Sequence, residues 1–190
     1  AALRVSSTAT RVFRWARWAV AVHGSSHGLD QVGADLYDQF IAVHTYTFPA
    51  AIMRQFTSVV YAGVSELYPE LRIGWMESGC SWLPFWIDRM DSEWHKRGAR
   101  EAPALSTLPS TAIRGARWFF HAESEESLIP EAAAYLGAEK LFWASDWPHW
   151  DNEYPESLYH IWERADLTEE QKKGILRDNS LEMYDMKYGS

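Results

Sequence analysis

The 190-residue chain is nearly devoid of cysteine: Cys80 stands alone, so no internal disulfide is available. That pattern fits a reducing compartment, and the cytoplasm is the expected location. Long apolar runs are missing too. None approaches the ~20 residues needed to span a bilayer, which argues against a membrane role. Basic clusters are absent from the body of the chain, whose formal net charge is −8. A nucleic-acid binder carries a basic patch, so that partner class is excluded. No Gly-x-Ser-x-Gly nucleophile elbow and no glycine-rich phosphate loop occur. Acidic residues are missing from Ala1 to Leu29, a stretch that carries Arg4, Arg11, Arg14 and Arg17. Residues 1–17 read as an atypical basic leader: a transit-type peptide, a foreign leader, or the start of a truncated chain. Their direct run into an apolar strand favours the last. Residues 18–190 read as one domain with no repeat or flexible linker.

Aromatics are plentiful, with 11 Trp, 9 Tyr and 8 Phe. Such rings fill cores more often than they line pockets. Four short apolar runs read as strands covered on both faces: Trp18–His23, Leu71–Met76, Arg117–Phe120 and Lys140–Ala144. Helical spacing falls between and after them, over Gly33–His44, Ala50–Leu67, Trp82–Trp94, Ser127–Leu136 and Pro155–Ala165. Pro49 suits a helix first turn, and Gly98–Thr111 reads as a polar loop. Thr168-Glu-Glu-Gln171 is a capping box. A last turn or helix lies near Asn179–Tyr184. The pattern predicts an α/β chain with about four parallel strands and outer helices, part of a (β/α)8 TIM barrel. A full barrel needs eight strands and ~250 residues.

Each strand ends in ionisable residues: His23, Glu77, His121 with Glu123, and Asp146. Catalytic groups of (β/α) barrels gather at these carboxyl ends. Asp146 precedes Trp147-Pro148, where the chain must leave the sheet. It can ligate a divalent metal or take a proton, or it can serve as an Asx-turn residue. His23 is a metal-ligand candidate or a structural histidine. Glu77 suits a ligand, a general base, a partner for a cation, or a helix cap. His121 and Glu123 alternate, so they point the same way and could form a polar layer beneath the site. His27, Trp82, Arg89 and His149 are the substrate-binding candidates, although Arg89 reads most simply as a salt-bridge residue and core packing explains Trp82 equally well. Glu123–Glu126 reads as an acidic helix start.

Three stretches carry a resemblance: Ala19-Val-Ala-Val-His-Gly24, the run Tyr68 to Asp91 containing Met-Glu-Ser-Gly-Cys, and Leu141-Phe-Trp-Ala-Ser-Asp-Trp-Pro-His149. With them the chain resembles the C-terminal portion of the amidohydrolase-related proteins that group with aminocarboxymuconate-semialdehyde decarboxylase. The resemblance implies a distorted TIM barrel with one divalent metal, zinc or manganese, at its mouth. It assigns His23 and Asp146 as metal ligands and Glu77 to the place of an assisting histidine. The family's remaining two ligands form a His-x-His motif, which this sequence does not contain. The implied activity is a metal-dependent hydrolase or non-oxidative decarboxylase acting on a small organic carboxylic acid, with Asp146 and Glu77 catalytic. A homo-oligomer is expected. The competing reading is a catalytically inactive fragment or interaction module.

Overall fold

Runs of branched and aromatic residues form the four strands, because such side chains pack well on a pleated surface. In the computed structural model, which describes residues 19–24 and 29–187, they are Ala19–His23 (β1), Arg72–Met76 (β2), Trp118–His121 (β3) and Leu141–Phe142 (β4). They make one parallel sheet in the order β1-β2-β3-β4. His23 lies opposite Met76, Trp75 opposite Phe120, and His121 opposite Phe142. The register therefore brings the four carboxyl ends to one side of the molecule.

Helices join the strands: Phe40–Tyr61 (α1) and Val64–Leu67 (α2), Leu83–Glu101 (α3) and Pro109–Gly115 (α4), and Ile129–Leu136 (α5). After β4 come Glu156–Trp162 (α6), Glu169–Lys173 (α7), a π-helical turn Gly174–Asp178, and Asn179–Tyr184 (α8). Thr168 caps α7 with both bonds of the capping box in place.

Several boundaries differ from those the sequence suggests. The expected helix Gly33–His44 is replaced by two 3₁₀ turns, Leu29–Gln31 and Ala34–Leu36, and α1 begins at Phe40. Gly33 in the left-handed region and extended Tyr37 and Gln39 interrupt the run. Pro49 lies inside α1 rather than at its start. Its missing N–H removes the helical donor to the carbonyl of Thr45, an exposed residue. Helix α3 runs on to Glu101, where Arg97 pairs with Glu101 along one face. The expected polar loop contains α4, whose first turn is capped from another helix: Ser110 N–H donates to Asp91 Oδ1 at 2.8 Å. No local pattern announces such a cap.

Side chains alternate across the sheet. Ile73, Trp75, Trp118, Phe120 and Leu141 face the long helices and form the main core. Phe56 of α1 is its hub. Its ring meets Trp75, Trp82, Trp118 and Phe120 at 5.1–6.0 Å, all at steep angles. Edge-to-face contacts of this kind add to plain area burial. The opposite face carries a smaller cluster of Phe119, Phe142 and Met183. Gly74 permits it, because a Cβ there would stand 2.6 Å from Met183 Sδ. Arg72, buried at the start of β2, anchors the same end through Asp185 at 3.3 Å. The outer edge of β4 is covered: Trp143 N–H donates to Ile175 O at 2.9 Å, and Asn179 Nδ2 donates to Leu141 O at 2.6 Å. No helix among the described residues is long and apolar enough to cross a membrane.

Truncating the hub gives a direct test of this layer. Phe56→Ala should destabilise the chain by about 3–5 kcal/mol, measured by urea unfolding at equilibrium. A loss below about 1 kcal/mol would show that the aromatic layer is not the principal support of the sheet.

Candidate functional site

The strand ends open into a cleft of about 650 Å³, lined among others by Phe40, His44, Glu77, Asp146, His149 and Trp150. Glu77 follows β2 immediately, and Asp146 lies four residues beyond β4. Both have left-handed backbone, with φ 49° and 52°. For a non-glycine residue that conformation costs about 1–2 kcal/mol. Strain of this kind persists where surrounding structure imposes it, and it clusters at functional sites.

The local loops show what imposes it. After Glu77 the chain turns through Gly79, also left-handed, where a Cβ would strike the Glu126 carboxylate at 2.4 Å. Glu126 accepts hydrogen bonds from Cys80 N, Ser81 N and Glu123 N at 2.8–3.0 Å. One carboxylate thus ties the loop after β2 to the loop after β3. The acidic run that reads as a helix start is a bridge between loops. Burial, with Glu126 beside it, pushes the Cys80 thiol far up, so it is no nucleophile. On the Asp146 side, His149 N–H donates to Asp146 O at 3.0 Å, closing a turn. The Trp147–Pro148 peptide in that turn is cis.

The site residues meet in pairs. His23 Nε2 lies 2.7 Å from Glu77 Oε1. Partial burial opposes charge on His23, but the Gly24 carbonyl and Glu77 outweigh it, so the imidazole titrates above its ordinary value. Glu77 is also held above its ordinary value, first by burial and then by the neighbouring Asp146; His23 opposes both without cancelling them. His149 Nδ1 lies 2.8 Å from Asp146 Oδ2, and that carboxylate raises the imidazole. Glu77, Asp146 and His149 each offer a ligand atom within 4.8 Å of the others. Ligands on one zinc ion lie about 2.0–2.2 Å from it, hence roughly 3–4 Å apart. Two carboxylates and an imidazole suit zinc or manganese. The donor set therefore fits a divalent ion.

Beneath the cleft, His121 is 1% exposed. Its Nδ1 lies 3.3 Å from Glu77 N and 3.2 Å from Glu123 Oε1, while Nε2 lies 3.3 Å from Ala144 O. Burial works against charge there, and Glu123 more than offsets it, so His121 also titrates above its ordinary value.

The structure does not bring every candidate to the cleft. Trp82 packs on Phe56 in the core and donates to Gly79 O at 3.0 Å. Arg89 is exposed and pairs with Glu93 at 3.0 Å. His27 lies outside the described residues. His149, a substrate-binding candidate by sequence, stands among the metal-ligand atoms. Sequence reading missed the aromatic wall, where His44 and Phe40 meet Trp150 at 5.6 and 5.9 Å and His44 pairs with Asp151 at 3.4 Å. Its residues come from α1 and from the loop before α6, and no local signal joins them.

The amidohydrolase family profile matches residues 12–186. The chain belongs to the amidohydrolase family. Among solved structures, the fold is similar to an amidohydrolase of Mycobacterium avium subsp. paratuberculosis K-10, with a TM-score of 0.78 and 22% identity over 97% of this chain and 47% of that one. It is also similar to 5-carboxyvanillate decarboxylase from Sphingomonas paucimobilis, with a TM-score of 0.74 and 19% identity over 95% and 53% of the two chains. A third is a dihydroxybenzoic acid decarboxylase from Polaromonas sp. JS666 with bound manganese and 2-nitroresorcinol. There the TM-score is 0.73 and the identity 16% over 94% and 54%. This amidohydrolase chain spans about half the length of those structures. Its sheet and outer helices are thus part of the (β/α) barrel expected from the sequence. No curated protein matches the sequence.

The raised Glu77 has a consequence for stability. A carboxyl whose folded pKa exceeds its unfolded value costs nothing while both states are protonated. The cost appears as pH rises through the unfolded value and is complete above the folded one. In chelator, Glu77→Gln should therefore melt at a higher temperature than wild type at pH 7. The two curves should converge near pH 3.5–4, roughly where carboxyls protonate. A wild type at least as stable as the variant at pH 7 would overturn this account of Glu77.

Proposed function

We propose that this chain carries part of the active site of a metal-dependent hydrolase or non-oxidative decarboxylase acting on a small organic acid. The observation that carries the reading is the convergence of Glu77, Asp146 and His149 ligand atoms within 4.8 Å at the mouth of the strand ends. The family match supports metal-dependent chemistry, and two of the similar folds are aromatic acid decarboxylases.

Asp146, His149 and Glu77 would hold one divalent ion, zinc or manganese, with His23 one hydrogen bond away through Glu77. When bound, the ion supplies Lewis acidity and the positive charge that a substrate carboxylate needs, which the described cleft wall, without Lys or Arg, does not otherwise hold. His23 Nε2 and Glu77 Oε1 stand 2.7 Å apart, a hydrogen-bonded pair along which a proton can pass. Phe40, His44 and Trp150 would orient a planar substrate and keep water from one side of it.

The alternative, a non-catalytic interaction module, draws support from a different surface. Leu36, Tyr37 and Ile41 are 82%, 43% and 76% exposed, and β1 is an edge strand of the described sheet. Such faces favour association with a second copy.

Size-exclusion chromatography with metal analysis separates the readings. After incubation with zinc or manganese, the chain should retain one ion, and Asp146→Asn should weaken binding at least about tenfold. A monomer that holds no ion and acts on no carboxylic acid would remove the enzymatic reading. An ion-free oligomer would favour the interaction module.

A further inference from the structure

We infer that His121 is a positioning residue that sets the separation of Glu77 and Asp146 by holding the backbone ends of their two strands. The inference rests on the reading of those carboxylates as ion-holding groups.

The geometry leads there directly. Glu77 follows β2 and Asp146 follows β4, and β3 lies between them. Strands two apart are separated by roughly 9–10 Å, so neither strand end touches the other. His121, the last residue of β3, fills the gap. Its Nδ1 is 3.3 Å from the Glu77 amide nitrogen and its Nε2 is 3.3 Å from the Ala144 carbonyl, two residues before Asp146. A neutral imidazole has one N–H and one lone pair, on opposite sides of the ring. With the proton on Nε2, the ring donates to Ala144 O and accepts from Glu77 N–H at once. Glu123 Oε1, 3.2 Å from Nδ1, competes for the same nitrogen when the ring is charged. The span to Glu77 therefore belongs to the neutral ring. Packing fixes the plane: the imidazole lies against Phe142 at 5.6 Å and is 1% exposed. An apolar residue could fill that space, but it would forfeit both backbone contacts. The strained backbone of Glu77 makes the contact matter more, since a left-handed residue relaxes unless it is held.

The first test uses the wild-type chain, metal-free and labelled with ¹⁵N, in mildly alkaline buffer. The Nε2-protonated tautomer and a coupling across the hydrogen bond from Glu77 N–H to His121 Nδ1 are expected. The second compares His121→Ala and His121→Asn by amide hydrogen exchange. Exchange at Glu77 should quicken at least tenfold in the alanine variant while the amide of Trp75, in the same strand, keeps its protection. Asparagine should restore most of the protection, because its Oδ1 can accept from Glu77 N–H. Zinc titration should show affinity lowered about 10–100-fold in His121→Ala and largely recovered in His121→Asn. Uniform loss of protection along β2 would reduce His121 to core packing, and unchanged exchange at Glu77 would remove its role. If the alanine variant does not fold, the wild-type coupling and the asparagine variant decide. A wild type that binds no zinc but shows the coupling would overturn the ion-holding reading while leaving the placement of Glu77 intact.

Discussion

Parallel pairing of β2, β3 and β4 over the aromatic layer is the constraint on which the cleft depends. Phe56, Trp75, Trp118 and Phe120 press the long helices onto one face of the sheet. That packing fixes the register, and the register places Glu77, His121 and the approach to Asp146 at one end. Pairing alone would leave the two carboxylates roughly 10 Å apart. The left-handed turns at Glu77 and Asp146 aim their side chains inward, and ligand atoms come within 4.8 Å. The rigid sheet and the strained turns at its rim are thus parts of one arrangement.

Electrostatically the arrangement is unfavourable in the absence of a cation. Burial and Asp146 both resist ionisation of Glu77, and His23 relieves it in part. Retaining such a group costs stability, a pattern typical of sites shaped by binding or chemistry. Elsewhere the fold uses carboxylates differently. Glu126 accepts three backbone N–H groups and holds two loops together, and Asp91 caps a neighbouring helix. Acids that look alike in sequence therefore divide into structural acceptors and candidate ligands according to what surrounds them.

The strands, the side on which ionisable residues collect, and the family are legible in local stretches of sequence. Apolar runs, turn residues and the Ala-Ser-Asp-Trp-Pro-His motif are local signals, and burial of both sheet faces leaves few other ways to read them. The capping box at Thr168 and the final helix were legible for the same reason, since each is stabilised by its own neighbours. Which candidates meet depends on long-range packing. His149 joins Asp146 because a tight turn folds it back, while Trp82 and Arg89, equally plausible in sequence, point into the core and into solvent. Helix α4, the Glu126 bridge and the span of His121 between two strand ends rest on partners many residues away. Their energies come from contacts that exist only after the sheet has assembled, so no window of sequence contains them.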